Sequence, residues 1–244
     1  MKTIDHYGHW TKARTGKQKI LSREINSLKL ISKVMKRDGS FLDAGCGNGF
    51  FMEFIRRLFP KVYLSGLDYS KSEVLEARKR GFKVKQSDFG EGIDFPKDKF
   101  DLVYAGEVIE HLYDPDFFLE EANRILKPNG FLVISTPNLC AWFNRIFMFL
   151  GIQPLFVEPS TKSKFVGSGF LKRFKEDSNP VGHVRIFTLE ALKDMFKMYG
   201  FKVLEVRGNP YEEGFPKKLS FIDKIFAKIS PGLAGQFVIL VQKK

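Results

Sequence analysis

Cysteine is nearly absent: Cys46 and Cys140 are the two in 244 residues. Two thiols cannot build a disulfide framework, and no Cys/His spacing of the metal-binding kind occurs, so no metal is expected. No uncharged apolar run reaches the ~18 to 20 residues of a membrane-spanning helix. Met1 to Trp10 holds no apolar signal core, which makes a cytoplasmic protein the simplest expectation. Internal repeats, low-complexity segments and a compact RNA-binding module are missing as well.

Hydrophobic residues are plentiful, at 43%, so the chain can bury a substantial core. Its length fits one α/β domain with insertions, or at most two small domains. The formal net charge is +12 and the pI about 9.6. Such a surface attracts nucleic acid, anionic lipid or an anionic substrate. A solvated lysine-rich surface of the heat-stable kind is the alternative. Lys12, Arg14, Lys17, Lys19 and Arg23 cluster near the N-terminus.

One stretch organises the rest. Phe41-Leu42-Asp43-Ala44 leads into Gly45-Cys46-Gly47-Asn48-Gly49, and a helical pattern of Phe51, Phe54, Ile55 and Leu58 runs on to Pro60. This is a strand, a tight turn and a helix. Glycine adopts backbone angles closed to other residues and lets a ligand approach closely. The helix N-terminus offers N–H groups to an anionic or carboxylate-bearing ligand.

Strand and helix alternate around this turn. Ahead of it, the stretch from Gln18 to Met35 carries an apolar stripe and is expected to pack on the sheet. His6, Tyr7, His9 and Trp10 before that helix read as a loose terminus or a movable lid. Beyond the turn, strands are expected at 63–67, 82–86, 100–105 and 131–135, the last preceded by a Lys127-Pro128-Asn129-Gly130 turn. Ser70 with Glu73 has capping-box spacing, and Asp114-Pro115 supplies an N-cap and first-turn proline. Short, near-continuous apolar strands point to a parallel sheet covered on both faces. The rhythm breaks over 138–182, where an aromatic helix from Leu139 to Leu150 precedes a basic, glycine-containing stretch. A helix capped by Thr188 and closed by Gly200, a strand at 201–206, a short helix at 219–229 and a last strand at 236–241 follow.

Each of the first three strands ends near an acid: Asp43, Asp68 and Asp88. Ligands of open parallel sheets bind outside those strand ends. Asp68, about 19 residues beyond Gly49, stands where a carboxylate accepts ribose hydroxyls. Asp88 suits an adenine amino group. Asp43 repels a pyrophosphate but suits a ligand bearing an ammonium and a sulfonium. That favours S-adenosylmethionine over a nicotinamide dinucleotide, as does a third glycine one residue earlier than the dinucleotide fingerprint has it.

These segments, with Phe100-Asp101-Leu102-Val103, Glu110-His111-Leu112-Tyr113-Asp114-Pro115 and Gly182-His183-Val184-Arg185, resemble the class I S-adenosylmethionine-dependent methyltransferases. The likeness covers about 40–137 and 182–208, with a flavour of the quinone, sugar and lipid-pathway subgroup. It implies an α/β, doubly wound, mostly parallel seven-stranded sheet whose antiparallel last strand is inserted beside the sixth. It also implies S-adenosylmethionine bound by Asp43, Gly45, Cys46, Gly47, Asn48 and Gly49, then by Asp68, Tyr69 and Ser70, by Asp88 and Phe89, and by Gly106 and Glu107 on the sulfonium side. The domain reading is a helical lid (1–38), a cofactor-binding half (39–137), an insertion or cap (138–182) and the C-terminal half of the same domain (183–244).

Methyl transfer requires alignment above all. His111, shortly after the fourth strand, is the candidate general base, or else a histidine that fixes the local loop. Tyr7, Trp10, Trp142, His183 and Arg185 are the candidate substrate residues. The aromatic helix either packs on the core or caps an apolar acceptor at a lipid surface. The expected partner is a small-molecule, lipid or lipid-linked glycan methyl acceptor, with weak contact to a membrane surface. Three alternatives stay open: an RNA or protein methyltransferase, an S-adenosylmethionine-binding domain without turnover, and a nicotinamide oxidoreductase. Against the first, Ala105-Gly106-Glu107 stands where an Asn/Asp-Pro-Pro-aromatic motif would be.

Overall fold

The computed structural model describes residues 19–174, 178–212 and 220–244. Among them lie seven strands: β1 (Ser40–Ala44), β2 (Tyr63–Asp68), β3 (Lys83–Gln86), β4 (Phe100–Gly106), β5 (Leu126–Pro137), β6 (Phe201–Asn209) and β7 (Gln236–Lys243). They form one sheet in the order β3-β2-β1-β4-β5-β7-β6. The first five pair parallel, and β7 runs antiparallel between β5 and β6.

Period-two alternation sorts the side chains into two cores. Phe41, Leu102, Tyr104, Val133, Val238 and Leu240 face one side, with Leu30 and Ile31 of α1 (Ser22–Val34) and Phe51 and Ile55 of α2 (Phe50–Leu58). Their sequence neighbours Leu42, Val103, Leu132, Ile134 and Ile239 face the other side. There they meet α4 (Pro115–Ile125) through Phe118 and Ala122, and α6 (Leu189–Met198) through Leu192 and Phe196. A third cluster joins α2 and α3 (Lys71–Lys79) to β3 through Met52, Val74, Ala77 and Val84. Strands buried on both faces must be apolar at nearly every position, as the central β4 and β7 are.

Local signals set the helix ends. Asp114 accepts the Phe117 N–H and Thr188 the Ala191 N–H, while Ser70 accepts that of Glu73 at 3.4 Å. Gly81 and Gly200 end their helices at positive φ. The expected helix before the turn packs on the sheet as α1.

Two elements and one helix face depart most from expectation. The turn at 127–130 is part of β5, because Leu126 already pairs with Phe100 before a bulge brings Phe131 opposite Leu102. The aromatic helix of the insertion, α5, spans only Trp142–Phe149. Its expected first residues form a turn instead: the Asn138 amide donates to the Gly232 and Ala234 carbonyls, and its Oδ1 accepts the Cys140 N–H. The face of α2 turns on Phe51, Met52 and Ile55, leaving Leu58 exposed. The last helix, α7 (Ser220–Ile229), follows β6 and packs beside α5.

Candidate active site

A cleft of about 870 Å³ opens at the carboxyl ends of β1, β2, β4 and β5. It lies where helix placement reverses between β1 and β4, the crevice in which doubly wound sheets take ligands. Of the residues expected to hold the cofactor, Asp43, Gly45, Cys46, Gly47, Asn48, Asp68, Tyr69, Ser70, Asp88, Phe89, Gly106 and Glu107 all line it. Gly49 sits at the base of the same turn as the left-handed cap of α2.

The turn is a small hydrogen-bonded device. Gly45 and Cys46 donate their N–H groups to the Leu67 carbonyl, which ties the turn to β2. Gly45 and Gly49 have φ of +89° and +82°, and a β-carbon would collide with Val108 at the first and Phe82 at the second. Glycine is therefore required by backbone angle and by packing together. Asn48 Oδ1 accepts the Phe50 N–H. The Cys46 thiol is buried against Met52 and Gly66, and burial pushes its ionisation up, so it contributes shape and no charge.

The acids differ from one another. Asp68 is a shared brace: one oxygen accepts the Gly47 N–H at 2.7 Å and the other the Ser70 N–H at 2.8 Å. Asp88 accepts the Gly90 N–H. Asp43 is 1% exposed, and its Oδ2 has no hydrogen-bond partner among the described residues. Burial first, then the neighbouring Asp68 and Glu24, hold its carboxyl well above the usual carboxylate range. An unsatisfied buried carboxylate beside a glycine cradle fits a cationic, donor-rich ligand and opposes a pyrophosphate.

Glu107 stands at φ +56° and accepts from Ser135 and Gln236, with Arg23 at 3.9 Å. Gly106 is needed because a β-carbon there would meet the Tyr104 hydroxyl. Beyond them a short 3₁₀ turn, Ile109–His111, carries Glu110 and His111 into the cleft. His111 Nδ1 lies 3.0 Å from the Gly182 carbonyl, and the His183 ring packs 5.0 Å away. His183 Nδ1 lies 3.0 Å from the Phe156 carbonyl. Burial first, then His111, lower its pKa to about 3, so the ring is neutral at physiological pH. Glu110 is fully buried, with one oxygen accepting from Thr136 and the other without a partner among the described residues. Burial first, then Glu107, raise its carboxyl well above the usual range.

The other substrate candidates are placed elsewhere. Trp142 does not line the cleft: its Nε1 donates to Asp223 and its ring stacks on Phe226, pinning α5 to α7. Arg185 is exposed and donates to the Tyr113 carbonyl. Tyr7 and Trp10 lie outside the described residues. Conversely, Glu24, Phe156, Tyr211 and Gln236 line the cleft without having been singled out. Gln236 had a faint signal, a polar residue opening an otherwise apolar strand; Phe156 and Tyr211 sit in irregular segments with none.

The methyltransferase domain family matches residues 16–206. A ubiquinone biosynthesis O-methyltransferase from Bradyrhizobium diazoefficiens is 40% identical over 102 residues, 40% of this chain and 39% of the relative. A malonyl-[acyl-carrier protein] O-methyltransferase from Legionella pneumophila is 30% identical over 138 residues, 48% of each. The chain thus spans less than half the length of the curated relatives it matches here. The fold is shared with a SAM-dependent methyltransferase from Archaeoglobus fulgidus, at a TM-score of 0.61, 19% identity and coverage of 98% of this chain and 100% of that one. A counterpart from Aquifex aeolicus gives a TM-score of 0.60 at 16% identity, over 99% and 100% of the two chains. Because the family match runs through most of the chain, and fold and glycine turn agree with it, the chain belongs to the methyltransferase domain family, in the class I group whose cofactor is S-adenosylmethionine.

Proposed function

We propose that this protein transfers a methyl group from S-adenosylmethionine to a hydroxyl of a small-molecule or lipid-pathway acceptor. One observation carries the reading: a single cleft joins the unsatisfied Asp43 carboxylate at one end to Glu110, His111 and His183 at the other. The two relatives named as O-methyltransferases support oxygen as the acceptor atom. When bound, the cofactor supplies a methyl carbon already activated by positive sulfur. The chain's own residues then align and dry the acceptor, and good alignment supplies roughly 7 to 11 kcal/mol of a barrier. Asp43 holds the ammonium, Asp68 the ribose, and Tyr69 with Phe89 flank the adenine. His111 takes the acceptor proton at Nε2, because Nδ1–H is committed to the Gly182 carbonyl.

The described part of the insertion reaches the cleft through Phe156 and Val181. Glu158 accepts the N–H groups of Val181, Gly182 and His183, and Phe156 faces the cleft. We extend the reading to an anionic membrane surface as the place where the acceptor is met. Ile146, Met148, Phe149 and Leu150 of α5 and its end are exposed, Phe149 by 90%. Phe221, Ile225 and Ile229 form an exposed stripe at i, i+4, i+8 on α7, with Lys224 and Lys228 beside it. No described helix is long and apolar enough to cross a membrane. A net charge of +12 serves anionic lipid as readily as nucleic acid, and the apolar stripes favour lipid.

The test pairs calorimetry with S-adenosylhomocysteine and NADH with transfer of labelled methyl to a phenolic prenyl lipid on anionic vesicles. The expected result is binding of the first ligand alone, and transfer that falls as vesicles are made neutral. Binding of NADH alone, or cofactor binding with label appearing in RNA instead of lipid, overturns the reading.

A further inference from the structure

An aromatic corner stands in the cleft beside His183. Phe156 and Tyr211 both line the cleft, with ring centroids 4.9 Å apart and planes at 87°. Phe156 serves two neighbours at once: its carbonyl meets His183 Nδ1 at 3.0 Å and its ring meets Tyr211 edge-on. Behind it, Phe143 of α5 packs 5.9 Å away, so the corner rests on a small apolar cluster of its own.

Tyr211 follows the end of β6, outside any helix or strand that would hold it. Three contacts place it instead. Its N–H donates to Asp223 Oδ2 on α7. Its backbone lies against Gly235, where a β-carbon would come within 2.9 Å of the Tyr211 nitrogen and 2.8 Å of its Cβ. Its ring packs on Phe156. Gly235 immediately precedes Gln236, which lines the same cleft and donates to Glu107.

Asp223 is the unusual member. It is 1% exposed, and each oxygen accepts from a neutral donor: Oδ1 from Trp142 Nε1 at 3.0 Å, Oδ2 from the Tyr211 N–H. Burying a carboxylate against neutral donors is costly. Its use here is registry, because two separate oxygens can accept from two converging directions. One direction is the indole of α5, 81 residues away; the other is the backbone beside the cleft, 12 residues away. An aromatic ring offers a large apolar face with few rotatable bonds, so a ring held this firmly is suited to gripping a ligand.

We propose that Tyr211 contacts the apolar body of the methyl acceptor and that Asp223 is its positioning residue. The inference rests on the methyl-transfer reading and adds to it the side chain that selects the acceptor. Asp223 touches no reacting group; it acts by fixing where the Tyr211 backbone, and hence the ring, stands.

The test uses the intact protein, labelled S-adenosylmethionine and the phenolic prenyl lipid on anionic vesicles. Wild type is compared with Tyr211→Leu, Asp223→Ala and the double variant. Tyr211→Leu keeps the backbone N–H that Asp223 accepts, so the frame survives it. It should raise KM for the lipid about 10-fold and leave kcat within about 2-fold, as expected of a contact that serves ground and transition states alike. Asp223→Ala should raise KM in the same direction. In the Tyr211→Leu background it should add less than about 2-fold, because Asp223 acts through Tyr211. Asp223→Asn, which keeps one acceptor oxygen, should fall between wild type and Asp223→Ala. S-adenosylhomocysteine affinity by calorimetry should hold throughout. KM unchanged in Tyr211→Leu overturns the proposal, and so do two substitutions whose effects on KM multiply in full or a loss confined to kcat. A wild type that neither binds S-adenosylhomocysteine nor transfers methyl would instead strike the methyl-transfer reading, and the proposal with it.

Discussion

Replacing Asp43 with asparagine should move stability and affinity in opposite directions. In the free protein the carboxylate is 1% exposed, one oxygen has no partner among the described residues, and Asp68 and Glu24 add like charge. A neutral side chain of the same shape removes a buried-charge cost, which we set at about 1 to 2 kcal/mol. For a chain of this size that is a rise in melting temperature of roughly 2 to 8 °C. With cofactor, the lost partner is the ammonium, and a charge-assisted hydrogen bond is worth about 1.5 to 3 kcal/mol. Affinity for S-adenosylhomocysteine should therefore fall about 10- to 150-fold. The pH dependence has a definite sign. The Asp43 carboxyl is raised in the folded chain, so between the ordinary value near ~3.9 and that raised value the folded state keeps a proton that the unfolded state has lost. Stability of the free protein thus falls as pH rises through that window, and the asparagine variant should lose that slope. Scanning calorimetry across pH and isothermal titration with S-adenosylhomocysteine measure both arms. A variant that melts lower than wild type, or binds the ligand equally well, refutes the assignment of Asp43 as an unsatisfied anchor.

Other outcomes follow from the same geometry. Asp68→Ala should weaken S-adenosylhomocysteine at least ~10-fold, because Gly47 and Ser70 lose their acceptor along with the ribose; unchanged affinity by calorimetry would refute the ribose role. Phe149→Glu combined with Ile225→Glu should abolish co-sedimentation with anionic vesicles and leave cofactor affinity intact, since neither side chain lines the cleft. At the opposite end of β4, burial pushes Asp101 up, but hydrogen bonds from Lys127, Lys36 and Ser40 outweigh it and hold the carboxyl well below its usual range. That stabilisation is present above the ordinary carboxylate value and is lost as pH falls toward the depressed one. Asp101→Asn should cost about 2 to 3 kcal/mol at neutral pH in urea unfolding, with the gap to wild type narrowing in acid.

That Asp43, Gly45 to Asn48, Asp68 and Asp88 line one cleft was legible because its determinants are local. Asp43 through Gly49 form one continuous turn, and Asp68 and Asp88 follow at strand ends that alternation alone can locate. Each residue's role depends on partners within its own βα unit or the next one. The sheet was legible for the same reason, apart from the start of β5, where a strong turn composition at 127–130 was overridden by pairing with β4. The antiparallel insertion of β7 came from family resemblance, since nothing in the sequence of Gln236 to Lys243 states which two strands it lies between.

The acceptor half obeys a different logic. Glu110 and His111 follow β4, Phe156 and Glu158 stand in the insertion, His183 lies on the returning chain and Gln236 opens β7. Backbone hydrogen bonds hold these segments together: Val184 and Arg185 to the Glu110 carbonyl, and Val181 to His183 onto the Glu158 carboxylate. Apart from the Glu158 carboxylate, these bonds use backbone groups that nearly every residue has, so they leave no trace in composition or periodicity. Trp142 shows the converse. As a large aromatic in a basic insertion it drew attention as a substrate residue, yet its indole is spent on Asp223 and Phe226, which brace α5 against α7. The insertion thus has two jobs. Its Phe156 lines the cleft, and its helix α5 presents Phe149 to the surroundings. Under the proposed function, an acceptor drawn from a lipid phase would meet this one segment both at the surface and in the pocket behind it.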